Sequence, residues 1–181
     1  MHVTETTQSV SLLHTGLRVP ASVSRRFFIV FLLYAISAVF AASVWAVDIR
    51  VNAGGSQYTD GVGKVWAADT GFNTGRLSST TTNILGTTDD PLYQFQRYDK
   101  PAVPELSYSF AVPNGDYAIN LHFAENYSGA FGAGLRVFDV LVEGTPALNS
   151  VDIFSESGGA NSALIRTIPT VTVSDGQLDI Q

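Results

Sequence analysis

The 181-residue sequence has no cysteine, and its second half contains few basic residues. Without cysteine, the chain forms no disulfide framework, no cysteine-ligated zinc site and no thiol nucleophile. From residue 47 onward there are seven Lys and Arg against fifteen Asp and Glu, a formal charge of −8. A surface this acidic repels phosphate backbones and anionic lipid. We therefore expect no nucleic-acid partner, and a neutral ligand fits the charge better.

Catalytic signatures are also missing. The sequence contains no G-x-S-x-G, no H-E-x-x-H and no phosphate-binding glycine loop. Fifteen carboxylates always offer some pair with the spacing that glycoside hydrolysis needs, so their number does not predict a hydrolase. His122, the only histidine after residue 47, lies within a predicted strand, where a structural role is the common one. We predict a domain that is not an enzyme.

Four aspartates in predicted loops are the only candidate metal ligands: Asp60, Asp69, Asp89 and Asp90. A structural calcium would use such side chains together with loop carbonyls. Their spacing matches no regular ligand pattern, and solvated turn aspartates explain them as well. We predict no metal site and no cofactor, with a structural calcium as the alternative.

The first 47 residues are typical of an export signal. Residues 27–47 carry no charge and follow directly after Arg25 and Arg26. Ala46 and Ala41 end two candidate cleavage sites, and residues 24–28 resemble the twin-arginine signature. The apolar run is also just long enough for an uncleaved anchor. We predict a basic region at 1–26, a signal peptide or signal anchor at 27–46 and an extracytoplasmic domain at 47–181, which contacts a membrane only through an uncleaved anchor.

The predicted domain consists of short strands separated by turns. Residues 48–52, 92–98, 106–112 and 117–125 alternate between apolar and polar side chains, and residues 137–142 form an apolar run. Further strands are predicted at 150–154, 164–168, 170–173 and 178–180. Eight or nine such strands predict an all-β fold, a β-sandwich or jelly roll.

Two segments are predicted to be loops. Residues 70–88 are rich in Gly, Ser, Thr and Asn, and residues 126–134 are rich in glycine. The second loop carries Tyr127 and Phe131. Exposed aromatic rings on such a loop suit the C–H face of a sugar ring.

Seven segments in this order resemble the malectin family, and the resemblance covers residues 48–181. They are residues 50–55, 65–69, 92–98, 112–117, 121–125, 136–140 and 152–154. The resemblance implies a jelly-roll-like sandwich that binds glucose-containing sugars through loop aromatics and an aspartate. It also implies that a closing part of the sheet follows Gln181, so the domain is predicted to be truncated at its carboxyl end.

The resemblance assigns candidate ligand residues one by one. Tyr98 matches the tyrosine that closes the family's Leu-Tyr-x-x-x-Arg-Tyr run, and Tyr127 matches the tyrosine after Phe-Ala-Glu. The neighbouring family aromatic falls at Ser128, so we infer that Phe131 replaces it. Asn126 and Ser128 are candidates for hydrogen bonds to sugar hydroxyls. The family aspartate and a further loop tyrosine have no counterpart here.

Supporting roles are predicted for other motif residues. Tyr93 and Phe95 share one face of an alternating run and are expected in the core. Trp66 is expected between the sheets, with a position in the binding face as the alternative. An ion pair between Arg97 and Glu125 would support the Tyr98 loop.

The leading hypothesis is a non-catalytic module that binds a neutral, glucose-containing oligosaccharide or polysaccharide, either alone or within a longer chain that carries a hydrolase or another domain. The alternative is an extracytoplasmic structural or adhesion domain that contacts protein partners. The missing aromatic at Ser128 favours this alternative. A remnant fragment without present function is the third reading.

Overall fold

The computed structural model describes residues 1–5, 47–99 and 103–181. The signal or anchor predicted at 27–46 lies outside these residues. No helix within the described ranges is long and apolar enough to cross a membrane.

The described residues form twelve strands, two short helices and one 3-10 turn. In chain order the strands are β1 (His2–Glu5), β2 (Asp48–Asn52), β3 (Tyr58–Thr59), β4 (Val65–Ala68), β5 (Arg76–Ser79), β6 (Phe95–Tyr98), β7 (Tyr108–Ala111), β8 (Gly115–Phe123), β9 (Phe138–Val142), β10 (Thr145–Val151), β11 (Leu164–Val173) and β12 (Gln177–Ile180). The helices are α1 (Pro91–Gln94) and α2 (Ile153–Ser157), and the 3-10 turn is Ser128–Ala130. This composition confirms the all-β prediction.

The strands form two main sheets and one separate two-stranded sheet. The first sheet has the order β11-β8-β1-β2-β4-β3, and the second has the order β10-β9-β12-β7. Strands β5 and β6 pair separately, antiparallel. The predicted strands at 164–168 and 170–173 are one strand, β11, whose register with β8 shifts between Ile168 and Val171. Pro169 lies at that shift and has no N–H for the ladder.

The core lies between the two main sheets. Val51 and Ile119 from the first sheet belong to the same buried cluster as Val142 and Leu178 from the second. Along β8, the buried residues alternate with half-buried ones from Tyr117 to Leu121, as the period of two predicts. This alternation gives one face to the core and turns the other outward.

The amino-terminal residues depart from the expectation that residues 1–26 lie apart from the domain. Strand β1 pairs antiparallel with β2 and with β8, so that Val3 lies opposite Ile49 and Ile119. The N–H of Val51 also donates to the Met1 carbonyl at 3.2 Å. Four residues are too few to show a strand pattern in the sequence, and the neighbouring strands supply the pairing. The boundary near residue 47 remains a prediction.

Two predicted strands contain helical turns. Pro91 is the first residue of α1, where its missing N–H costs nothing, and this turn occupies the first three residues of the predicted strand 92–98. Asp152 caps α2 by accepting a hydrogen bond from the Ser155 N–H at 3.0 Å, so the predicted strand 150–154 ends at Val151. The predicted loop 70–88 contains β5, which pairs with β6.

Candidate functional site

A buried carboxylate holds the glycine-rich loop that carries Tyr127. Glu125 is 1% exposed, and its Oε1 accepts the Tyr127 N–H at 3.0 Å. Its Oε2 lies 2.9 Å from Nε of Arg136. The Arg136 guanidinium in turn lies 5.9 Å from the centroid of the Tyr127 ring. One acid therefore fixes both the backbone of Tyr127 and the cation beside its ring.

The ring of Tyr127 rests on a glycine. A Cβ atom added to Gly129 would lie 2.5 Å from Cε1 of Tyr127, closer than any side chain tolerates. Gly129 thus lies directly against the hydroxyl end of the ring, while the Tyr127 residue remains 59% exposed. Support on one side and exposure on the other produce a rigid aromatic platform.

Two other predicted contacts on this loop have different surroundings. Ser128 is exposed and begins the 3-10 turn. Phe131 is 38% exposed, and its ring is nearly parallel to that of Phe154 on α2, with 6.5 Å between centroids. Its ring contact is therefore with α2.

Asn126 has a structural role. Its side-chain NH₂ donates to the Tyr93 carbonyl at 2.7 Å, which ties the loop to α1. Its Oδ1 is buried and has no hydrogen-bond partner among the described residues. A buried acceptor without a partner costs free energy, and its burial keeps this Oδ1 away from a ligand at the surface.

Tyr98 lies at the end of β6 and lines a large cavity. Arg136 lines the same cavity, which also reaches the exposed residues Asp99 and Glu105. A hydrogen bond with the Asp99 carboxyl raises the pKa of Glu105. Arg136 thus lies near Tyr127 and lines the same cavity as Tyr98, whereas Tyr127 itself does not line the cavity.

Arg97 holds β6 in place, but through a different acid from the one expected. Its guanidinium pairs with Asp69 at 2.8 Å, and both side chains are 9% exposed. The predicted pair between Arg97 and Glu125 is wrong, since Glu125 binds Arg136 instead. Arg97 also lies 3.3 Å above the centroid of the Phe72 ring. Asp69 accepts a second hydrogen bond, from the Tyr108 hydroxyl at 2.9 Å, and its charge together with burial raises the pKa of that hydroxyl.

A buried aromatic cluster lies beneath α1. Trp66 is 5% exposed and meets the His122 ring edge to face, with 5.1 Å between centroids. Tyr93 is 6% exposed, and its hydroxyl lies 2.9 Å from Nδ1 of His122. Burial lowers the pKa of His122 to about 3, so the imidazole is neutral at physiological pH. Tyr93 is thus buried as expected, and His122 has structural surroundings. Trp66 is also buried, but it packs against His122 and is not part of the buried cluster between the two sheets.

The loop aspartates considered for calcium are engaged by protein donors. Asp60 accepts from the N–H groups of Val62 and Lys64 and from the Trp66 indole, at 2.8–3.1 Å. Asp89 accepts from the Tyr58 hydroxyl and the Gly61 N–H. Within the described ranges, no group of three or more acidic or histidine side chains is placed to hold a metal ion.

Comparison with known families agrees with this geometry. The family model described as "Malectin domain" matches residues 47–181. The chain belongs to the malectin family. Malectin-A of Xenopus laevis is 30% identical over 146 residues, which cover 76% of this chain and 48% of that protein. Receptor-like protein 4 of Arabidopsis thaliana is 41% identical over 90 residues, which cover 49% of this chain and 14% of that protein.

Solved structures share the malectin-like fold at lower identity. A β-glucuronidase 2 of Bacteroides uniformis matches with a TM-score of 0.63 and 24% identity, over 75% of this chain and 16% of the enzyme. The plant receptor-like kinase FER, solved with the peptide RALF23 and LLG2, matches with a TM-score of 0.62 and 19% identity, over 75% and 43% of the two chains. The chain thus spans less than half of each of these proteins, and the structural matches show the fold.

Proposed function

We propose that this malectin domain is a non-catalytic, extracytoplasmic module that binds a neutral, glucose-containing oligosaccharide. The observation that carries the proposal is the supported and exposed ring of Tyr127. Gly129 lies against this ring, and Glu125 and Arg136 hold its position. A rigid aromatic face loses little conformational entropy when a sugar stacks on it.

Tyr98 provides the second part of the proposed site. It lines the cavity that Arg136 also lines, so a sugar on Tyr127 extends over Arg136 toward Tyr98. Polar groups at this cavity supply partners for hydroxyls, including the carboxyls of Asp99 and Glu105. The acidic composition fits a neutral glycan better than an anionic one.

The test is a glycan array followed by calorimetry with the chain 1–181. Tyr98→Ala and Tyr127→Ala are each expected to weaken binding about fivefold or more, because an aromatic contact contributes about 1 kcal/mol beyond area burial. Val62→Ala is the control, since Val62 is 82% exposed and does not line the cavity. Unchanged glycan affinity in the folded double variant would exclude this site.

A second candidate function is the binding of a protein or peptide partner. Two observations favour it: Ser128 offers no aromatic ring, and Phe131 packs beside Phe154 rather than beside Tyr127. FER, with the same fold, has been solved in a complex with a peptide. This function is supported if the folded domain binds no glycan on the array but captures an extracellular protein or peptide. The Tyr127→Ala variant should then lose this capture, which would place the contact at the Tyr127 loop.

A further inference from the structure

The cavity beside Tyr98 extends between the two sheets. Its volume is about 820 Å³, within the range of pockets that hold small molecules. Buried side chains from both sheets line it, among them Val51 and Leu121 from the first sheet and Val140 and Ile180 from the second. This buried part of the wall offers a water molecule few hydrogen-bond partners and favours an apolar occupant.

The mouth of this cavity has the opposite character. Arg136, which lies near Tyr127, lines the cavity together with the exposed residues Asp99, Glu105 and Gln181. The buried part of the lining is mainly aliphatic and aromatic, and the buried Arg97 that also lines it is paired with Asp69. A ligand that matches both parts has a polar head and an apolar chain.

We propose that the ligand is an amphiphilic glycoside, whose sugar lies on Tyr98 and Tyr127 and whose alkyl or acyl chain enters the cavity between the sheets. The proposal rests on the proposed function for the position of the sugar. It adds a second binding element, the inner cavity, that recognises the apolar group attached to that sugar.

The chemistry of the inner wall favours an aliphatic chain over other occupants. A sugar placed among Val51, Leu121 and Val140 would bury hydroxyl groups without partners, at a cost of several kcal/mol in an apolar surrounding. A peptide segment would likewise bury N–H and C=O groups that need hydrogen bonds. A hydrocarbon chain has neither requirement.

The first experiment measures affinity against chain length, with the chain 1–181 and a series of maltose, methyl, butyl, hexyl and octyl maltosides below their micelle concentrations. Each methylene that enters the cavity is expected to raise the affinity about threefold to fourfold. Equal affinity for maltose and octyl maltoside would overturn the inference while leaving the sugar site intact. If an octyl chain on an uncharged polyether head binds as tightly as octyl maltoside, the inference is overturned as well, because the sugar would then contribute nothing to the affinity.

Two variants locate the chain. Ala53 is half-buried and lines the cavity, so Ala53→Phe is expected to fill part of it and to abolish the gain from the octyl chain while maltose binding persists. Val62→Phe, at an exposed position outside the cavity, is expected to leave the gain unchanged. An octyl gain that survives in folded Ala53→Phe would place the chain elsewhere and overturn the proposal.

A spectroscopic measurement keeps the proposal testable if Ala53→Phe does not fold. Trp66 lines the cavity, and Trp45→Phe makes it the only tryptophan. A maltoside with a brominated alkyl chain is expected to quench the Trp66 fluorescence at saturation, and a brominated non-glycoside of equal length at the same concentration much less. Saturable maltoside binding without quenching would exclude the chain from this cavity. Loss of all maltose binding would instead contradict the proposed function itself.

Discussion

The buried carboxylate of Glu125 permits a sharp test of how the Tyr127 platform is held. Arg136→Ala removes the cation that pairs with Glu125, a side chain that is 1% exposed. Loss of one partner from a buried pair costs about 3–5 kcal/mol. The Arg136 side chain is 32% exposed, and Glu125 still accepts the Tyr127 N–H. We therefore expect a smaller loss, about 2–3 kcal/mol of unfolding free energy.

Substitution of the acid in this pair should lower the free energy of unfolding by less. Glu125→Gln keeps an oxygen that accepts the Tyr127 N–H and leaves an arginine that water can partly solvate. We expect a loss of about 1–2 kcal/mol, because most of the penalty for a broken pair falls on the buried partner. The double variant should be more stable than the sum of the two losses predicts, by about 1–2 kcal/mol.

Urea unfolding of the four proteins measures these free energies. Arg166→Ala is the matched control, since its pair with Glu156 is more exposed, at 42% and 26%. Its expected cost is about 0–1 kcal/mol. Two results would refute the account of a buried pair that supports the loop. One is a double variant whose loss of unfolding free energy equals the sum of the two single losses. The other is an Arg136→Ala variant that loses no more unfolding free energy than Arg166→Ala.

Three further predictions concern other parts of the site. Asp69→Ala leaves the buried guanidinium of Arg97 without its partner and should cost about 3–5 kcal/mol in urea unfolding, with Asp69→Asn less damaging. The pKa of His122 is lowered to about 3 in the folded protein, so the unfolded chain binds a proton at this histidine at higher pH than the folded chain does. The free energy of unfolding should therefore fall as the pH drops from about 6.5 toward 3. His122→Gln should reduce this loss in urea unfolding measured at a series of pH values. Identical pH slopes in the two proteins would contradict the assignment. Gly129→Ala should displace the Tyr127 ring and weaken glycan binding about as much as loss of the ring, while thermal stability changes little; unchanged affinity would show that the ring position does not matter.

The local sequence pattern predicts a strand correctly where one face of that strand lies in the core. β8 and β12 show the expected alternation, and their buried residues include Tyr117 and Leu178, both with no exposed surface. The hydrophobic face dictates the register of such strands, since a slip of one residue would turn it outward. β3 and β5 lack this signal, because their residues are polar or exposed and their partners determine the pairing.

The segment around α1 shows how turn chemistry overrides a pattern. Residues 92–98 alternate as a strand would, yet Asp90 and Pro91 start a helical turn, with the Tyr93 N–H donating to the Asp90 carbonyl at 2.9 Å. The change of period separates two residues that a strand would place on one face. Tyr93 is consequently buried, while Phe95 is 39% exposed. The Asp-Pro pair was the available signal for this turn.

The charged partners could not be assigned from the sequence, because several acids were available to each arginine. Arg97 and Asp69 are 28 residues apart, and only the antiparallel pairing of β5 with β6 and the turn before it bring them together. Arg136 was present in a recognised motif without an assigned role. A buried Glu next to an exposed aromatic is a useful signal, since a carboxylate with 1% exposure requires a cation.

These pairings also bear on how specificity arises in this chain. The family's second loop aromatic is absent at Ser128, and Phe131 makes its ring contact with Phe154. The flat apolar surface for a sugar is therefore smaller than two adjacent rings would provide, which limits the affinity for a glycan alone. Under the proposed function, discrimination between ligands then depends on what lies beyond Tyr127, namely Arg136 and the cavity that Tyr98 lines. We therefore expect substitutions that line this cavity to change ligand selectivity more than substitutions in the loop.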